Sequence, residues 1–136
     1  MTTLQRRLIS LREICRSVLL DLEEAKTISA DSCERLRSFI QAIPLYTDIE
    51  LESDKLAERY RGATQTDDIL YQIAISVVHT LQTVQAERIR KCEHEDCVLY
   101  FADTSKAGKR RWCSMELCGN RQKAATFYKR KNLNPE

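Results

Sequence analysis

Four cysteines near the end of this 136-residue sequence constrain its folding more than any other feature. Cys92 and Cys97 have four residues between them, Cys113 and Cys118 also have four, and fifteen residues separate the two pairs. A zinc ion takes four ligands at tetrahedral corners, and two short cysteine loops joined by a longer excursion supply them with little backbone strain. The surrounding stretch from Arg88 to Lys131 is rich in Lys and Arg, so the segment expected to fold around a metal is also expected to face something negative.

Size points the same way. Residues 88–136 are too few and too polar to bury a substantial core, and below roughly 40–60 residues a fold needs a staple such as a metal. The sequence therefore reads as a helical regulatory or dimerisation domain over 1–87 followed by a zinc-finger domain over 88–136. Charge divides along the same line, with 10 basic and 14 acidic residues in 1–87 against 12 and 6 in 88–136. A segregated positive segment points to a polyanionic partner. Part of that charge is also needed at home. Four thiolates around a divalent ion leave a net −2, which Lys91, Arg111 and Arg121 stand close enough in sequence to offset.

The opening residues carry Arg or Glu every few positions and form neither a secretory leader nor a membrane span. A reducing cytoplasm is the expected compartment, where six cysteines argue for metal or free thiols over disulfides. Cys15 and Cys33 stand apart from the cluster, on helical patterns, and read as small buried hydrophobes.

The fold class is mainly α. From Leu4 to about Lys26, Leu4, Leu8, Leu11, Ile14, Cys15, Val18, Leu19 and Leu22 recur at threes and fours, predicting an amphipathic helix. A second helix, capped by Ser29 or Asp31, runs to Pro44, and the short connection predicts an antiparallel pair. Between Leu45 and Gly62 the pattern alternates around a turn-like Glu52-Ser53-Asp54-Lys55. A small β-hairpin near 46–61 fits, although KLAERYR also fits a helical turn. The spacing then predicts a long core helix from Thr66, as its cap, to about Arg90, with His79 as a surface or hydrogen-bonded histidine. No Gly, Pro or Ser spacer precedes Cys92, which predicts a stiff helical coupling into the finger.

Within the finger, His94 competes as a ligand, but it lies two residues after Cys92 and uses up the loop that Cys97 must close. Ligation by Cys92, Cys97, Cys113 and Cys118 is preferred. Such a closed site holds one structural zinc and has no vacant position for substrate, so no enzyme is expected. The apolar run Val98 to Phe101 predicts a strand of a short β-hairpin beside the metal, with Phe101 and Trp112 filling a miniature core. After Cys118, Gly119-Asn120 permits a close approach to the metal loop. Arg121 to Lys131 reads as a basic C-terminal helix with Ala124, Phe127 and Tyr128 as its packing face.

The run Cys118-Gly119-Asn120-Arg121, with Arg111-Trp112-Cys113-Ser114-Met115 and Phe101-Ala102-Asp103-Thr104-Ser105 before it, closely resembles the CGNR zinc-finger family of bacterial proteins. The resemblance covers about 45 residues, with all four cysteines in place. It implies four-cysteine zinc binding and a DNA-binding transcriptional regulator. It further implies an upstream domain of the type called ABATE, which senses a ligand or stress and so admits a small-molecule effector. Residues 4–87 resemble the later portion of that domain, whose first strands are expected to be missing here.

The function expected is therefore zinc-dependent DNA binding in transcription regulation. Lys106, Lys109, Arg110, Arg121, Lys123 and Lys129 are the candidate nucleic-acid contacts, and the N-terminal helices offer a surface for a homodimer. The competing readings are a zinc-stabilised module that docks on an acidic protein, and RNA binding.

Overall fold

The computed structural model describes residues 1–133, which form two compact units, Met1–Thr83 and a second beginning at Val84. Four α-helices and two small antiparallel hairpins make up the described residues, and no helix among them is long and apolar enough to cross a membrane.

Local caps set the first two helices. Helix α1 (Thr3–Ala25) begins with a capping box, in which the Thr2 hydroxyl accepts the Gln5 N–H and the Thr2 N–H donates to the Gln5 side chain. It ends where Lys26 turns left-handed. Helix α2 (Ala30–Gln41) starts at Ser29, whose hydroxyl accepts from the Ser32 N–H, so Ser29 and not Asp31 is the cap. Asp21 of α1 holds Ser29 in place, accepting from its N–H at 2.9 Å and its hydroxyl at 2.7 Å. Hydrogen bonds from Ser32 and Ser29 in turn lower the Asp21 pKa. The pairs Asp21–Ser29 and Ser17–Arg35 run in opposite senses along the two chains, so the helices are antiparallel.

Leu11, Ile14, Leu36 and Ala74 form the centre of the core, with Cys15, Phe39, Ile40, Val78 and Leu81 packed around it. Cys15 is half-buried, and burial raises its pKa. Cys33 does not match the expectation of burial: it is exposed. Ser32 and Leu36 define the inward stripe of α2, and Cys33 lies about 100° around the helix from Ser32.

Strands β1 (Leu45–Glu52) and β2 (Lys55–Gly62) pair from Leu45↔Gly62 to Glu52↔Lys55. The helical-turn alternative for KLAERYR is thereby excluded. Ser53 and Asp54 both have positive φ, the requirement of the two-residue turn that matches strand twist. The hairpin is inverted with respect to ordinary amphipathicity. Its half-buried face carries Asp48, Glu50, Arg59 and Arg61, which pair with one another, and Arg59 also reaches Glu52. Its apolar face, with Ile49, Leu51 and Leu56, is exposed.

Helix α3 (Gln65–Thr83) departs from the expected span at both ends. Thr64, not Thr66, caps it: the Thr64 hydroxyl accepts the Asp67 N–H and donates to the Asp67 carboxylate. Buried Asp67 also meets Arg7 of α1 at 3.3 Å, tying α3 to α1. At its far end the helix stops at Thr83, well short of Arg90. A single 3-10 turn, Ala86–Arg88, follows, and Ile89–Lys91 becomes strand β3. The apolar period that suggested a continuous helix is overridden by strand pairing within the second unit, so the helix expected to run into the finger ends at Thr83. His79 lies on the exposed side of α3, as expected.

Candidate metal centre

The metal loops grow out of a minimal hairpin. β3 (Ile89–Lys91) pairs with β4 (Tyr100–Ala102), with Ile89 opposite Ala102 and Lys91 opposite Tyr100. The ladder continues one step, from the Cys92 N–H to the Leu99 carbonyl at 2.9 Å. The Cys97 N–H then closes the first loop on the His94 carbonyl, also at 2.9 Å. Val98 and Leu99, read as the start of a strand beside the metal, precede β4, which begins at Tyr100, and are largely exposed.

The second loop is a wide turn over Met115–Gly119. The Ser114 hydroxyl caps it by accepting the Leu117 N–H, and the Gly119 N–H returns to the Ser114 carbonyl at 3.0 Å. Gly119 is buried, and a Cβ there would collide with the Met115 sulfur and crowd the Trp112 ring, so the close approach expected of Gly119-Asn120 is real. The two loops are stitched together: Glu93 N–H donates to the Arg111 carbonyl, and Cys113 N–H points at the Cys92 sulfur.

These bonds bring the Sγ atoms of Cys92, Cys97, Cys113 and Cys118 within 4.8 Å of one another. Cys97 and Cys113 are 3.8 Å apart, and Cys113 and Cys118 are 3.7 Å apart. A disulfide needs sulfurs at about 2.05 Å, so these are not bonded pairs. A tetrahedron with zinc–sulfur bonds of about 2.3 Å has edges of about 3.8 Å, which these separations match. The four cysteines form a zinc site for one structural ion. His94 stays outside it, with Nδ1 accepting the Asp96 N–H at 3.2 Å.

The thiols differ before any metal enters. At Cys92 burial is opposed by N–H groups of Cys113 and His94 and by the thiols of Cys97 and Cys118, which bring it down to about 7. Burial pushes Cys118 up to about 12, and neighbouring sulfurs add to the rise. The Cys92 thiolate therefore forms readily and that of Cys118 only at high cost, a cost a divalent cation offsets by neutralising the charge that accumulates.

Asp103-Thr104-Ser105 reads as a turn from sequence and is one, but its hold on the long loop between the cysteine pairs shows only in the fold. Asp103 is buried at its root, accepting from the Ser105 N–H at 3.0 Å, the Ser105 hydroxyl at 2.6 Å and the Arg110 N–H at 3.0 Å. The Ser105 hydroxyl bond, with those two N–H groups and the nearby Arg88 guanidinium, holds its pKa down at about 2. Arg88 donates to the carbonyls of Asp103 and Ser105, and Arg90 to that of Gly108. The available signal was local: an Asp two residues before a Ser, ahead of a glycine, is an Asx-turn pattern. Gly108 has φ +62°, and a side chain there would strike Arg88.

Arg110, one of the six candidate nucleic-acid contacts, is engaged inside the finger. It donates to the carbonyls of Trp112 and Cys113 and lies 4.9 Å over the Phe101 ring. Arg111 likewise covers Trp112 and pairs with Glu93 at 2.6 Å. Phe101 and Trp112 thus lie half-buried under arginines and do not form the buried miniature core expected of them. Lys106, Lys109, Arg121, Lys123 and Lys129 are exposed. The last three lie on helix α4 (Asn120–Leu133), which does not have the packing face expected of it. Ala124, Phe127 and Tyr128 are all exposed, and the two rings contact each other edge-on at 5.8 Å.

Asp103→Asn tests the loop. An amide keeps one oxygen as acceptor but sets its NH2 against either the Ser105 or the Arg110 N–H, so apparent zinc affinity is expected to fall about tenfold or more in chelator competition at pH 7. The carboxylate's contribution has a defined sign. Its folded pKa lies below the ordinary carboxylate value, so the stabilisation is fully present above about pH 4 and is lost as pH falls toward 2.

Two hairpin-linked cysteine loops closing one tetrahedral site, followed by a basic helix, define a small zinc-stabilised finger. Residues 88–131 match the family model of the CGNR zinc finger. No curated protein matches the chain.

Proposed function

We propose that the finger binds duplex DNA, and that the protein acts as a zinc-dependent transcriptional regulator. The observation that carries this reading is the charge left facing outward. Arg88, Arg90 and Arg110 bond carbonyls within the finger, Asp103 is held by loop N–H groups, and Arg111 and Glu93 neutralise each other at the surface. Setting these aside leaves eight basic and four acidic residues in 88–136. The positive excess is therefore not needed by the metal loops. Lys106 and Lys109 on the loop, with Arg121, Lys123 and Lys129 on α4, are the phosphate contacts in this reading, and Arg110 acts by holding the second cysteine loop. The zinc is structural in this reading, since four thiolates leave no position for a substrate.

The test is binding of the zinc-loaded chain to a labelled duplex across a salt series. Each neutralised phosphate contributes about −0.9 to the slope of log affinity against log salt, so five contacts predict a slope of about −4.5. Lys109→Ala is expected to make that slope shallower by about one unit. Arg110→Ala is expected to lower zinc affinity. No binding at low salt would sink the proposal. Exposed Phe127 and Tyr128 could instead stack on unpaired bases, and a single-stranded RNA competitor that displaced the duplex at equal concentration would favour that second reading.

A further inference from the structure

We propose that the apolar face of the β1–β2 hairpin is a self-association surface that packs against the same face of a second copy of this chain. Residues alternate across a strand, so the register puts Leu45, Thr47, Ile49 and Leu51 on one face with Leu56, Glu58 and Tyr60. All are exposed, Ile49 by 65 %, Leu51 by 71 % and Leu56 by 75 %. The opposite face satisfies its charges internally through the Arg59 and Arg61 pairs. A two-stranded hairpin is marginal alone, and an apolar face in water is a liability unless something covers it.

Area and charge select a second copy as the cover. From their exposures, Leu45, Ile49, Leu51, Leu56 and Tyr60 present roughly 600 Å² per copy, so a face-to-face pair buries about 1,200 Å², the lower bound of specific interfaces. The face carries one charged group, Glu58, and a two-fold axis lets each copy offer the same patch to the other. Edge-to-edge pairing is disfavoured. Joining two β1 edges would bring together the acidic set Asp48, Glu50 and Glu52 of both copies, and joining two β2 edges the basic set Lys55, Arg59 and Arg61. The helices offer less: Ile69 and Ile73 lie one turn apart on α3 but are exposed by only 38 % and 39 %. Exposed Ile9 and Leu20 of α1 lie eleven residues apart, about 16 Å along the helix, and do not form one patch.

Sedimentation equilibrium of the zinc-loaded chain tests this, and the outcome is independent of whether the finger binds DNA. A dimer is expected at about 50 µM. Leu51→Lys with Leu56→Glu places an opposite-charge pair at a cross-strand position, so the hairpin is retained while its apolar face is interrupted. This variant is expected to dissociate at least about 30-fold more readily, with unchanged circular dichroism and zinc content. Ile9→Lys with Leu20→Lys is expected to remain as dimeric as the parent. A parent chain that is monomeric at about 200 µM, or a hairpin variant as dimeric as the parent, would overturn the proposal.

Discussion

Replacing Cys118 with serine is expected to unfold the finger from β3 to α4 while the helices of Met1–Thr83 stay folded. Structural zinc supplies roughly 10–16 kcal/mol to modules of this size, and little else here could replace it. Ile89, Cys92 and Cys118 are the buried apolar residues of the second unit, and two of the three are ligands. The β3–β4 ladder is three residues long on each side, too short to persist alone. α4 has 14 residues, none of them buried, and the exposed Phe127 and Tyr128 rings meet each other edge-on, so its start from the second cysteine loop is what nucleates it. Serine offers a far poorer ligand than thiolate. Zinc affinity is expected to fall about a thousandfold or more, with loss of the α4 contribution to circular dichroism. Retention of both at parental level would contradict the assignment of Cys118.

Gly62→Ala is expected to do the converse, damaging the first unit and leaving zinc binding intact. Gly62 ends β2 and is buried against the start of α3. Its N–H donates to the Asp68 carboxylate at 3.0 Å, and a Cβ would lie well inside 3.0 Å of the Asp67 and Asp68 backbone. Main chain cannot swing aside as a flexible side chain can, so α3 would have to move away from the hairpin. That would disturb the Thr64 cap and the Arg7–Asp67 pair and shift Leu70 and Ala74 within the core. Overpacking of this kind costs about 3 kcal/mol or more. Chemical denaturation followed by helix signal checks it, with zinc stoichiometry measured in parallel.

What the sequence disclosed follows the range of the interactions involved. Ligand spacing is local chemistry, so Cys92, Cys97, Cys113 and Cys118 stood out without any fold. The Ser29 cap and the Ser53-Asp54 turn were legible for the same reason, since side chain and backbone partner lie within a few residues. The far end of α3 was not legible. Its apolar period continues to Ile89, and only the pairing of Ile89 with Ala102, thirteen residues on, diverts the chain into a strand. Charge was legible in quantity but not in direction. Nothing in the sequence distinguishes Arg110, folded over Phe101 onto the Cys113 carbonyl, from Lys109 beside it in water. The hairpin inverted expectation differently: its alternation was visible, but which face would be covered depends on partners outside the strands.

Counting reactive thiols tests most directly whether one zinc ion is held by these four thiols. With zinc bound, a maleimide reagent is expected to label exposed Cys33 quickly and half-buried Cys15 slowly, leaving Cys92, Cys97, Cys113 and Cys118 protected at one metal per chain. Chelation should then expose all four together. Labelling of any of the four in the zinc-loaded chain at the rate of Cys33, or a stoichiometry other than one, would contradict the closed four-cysteine site.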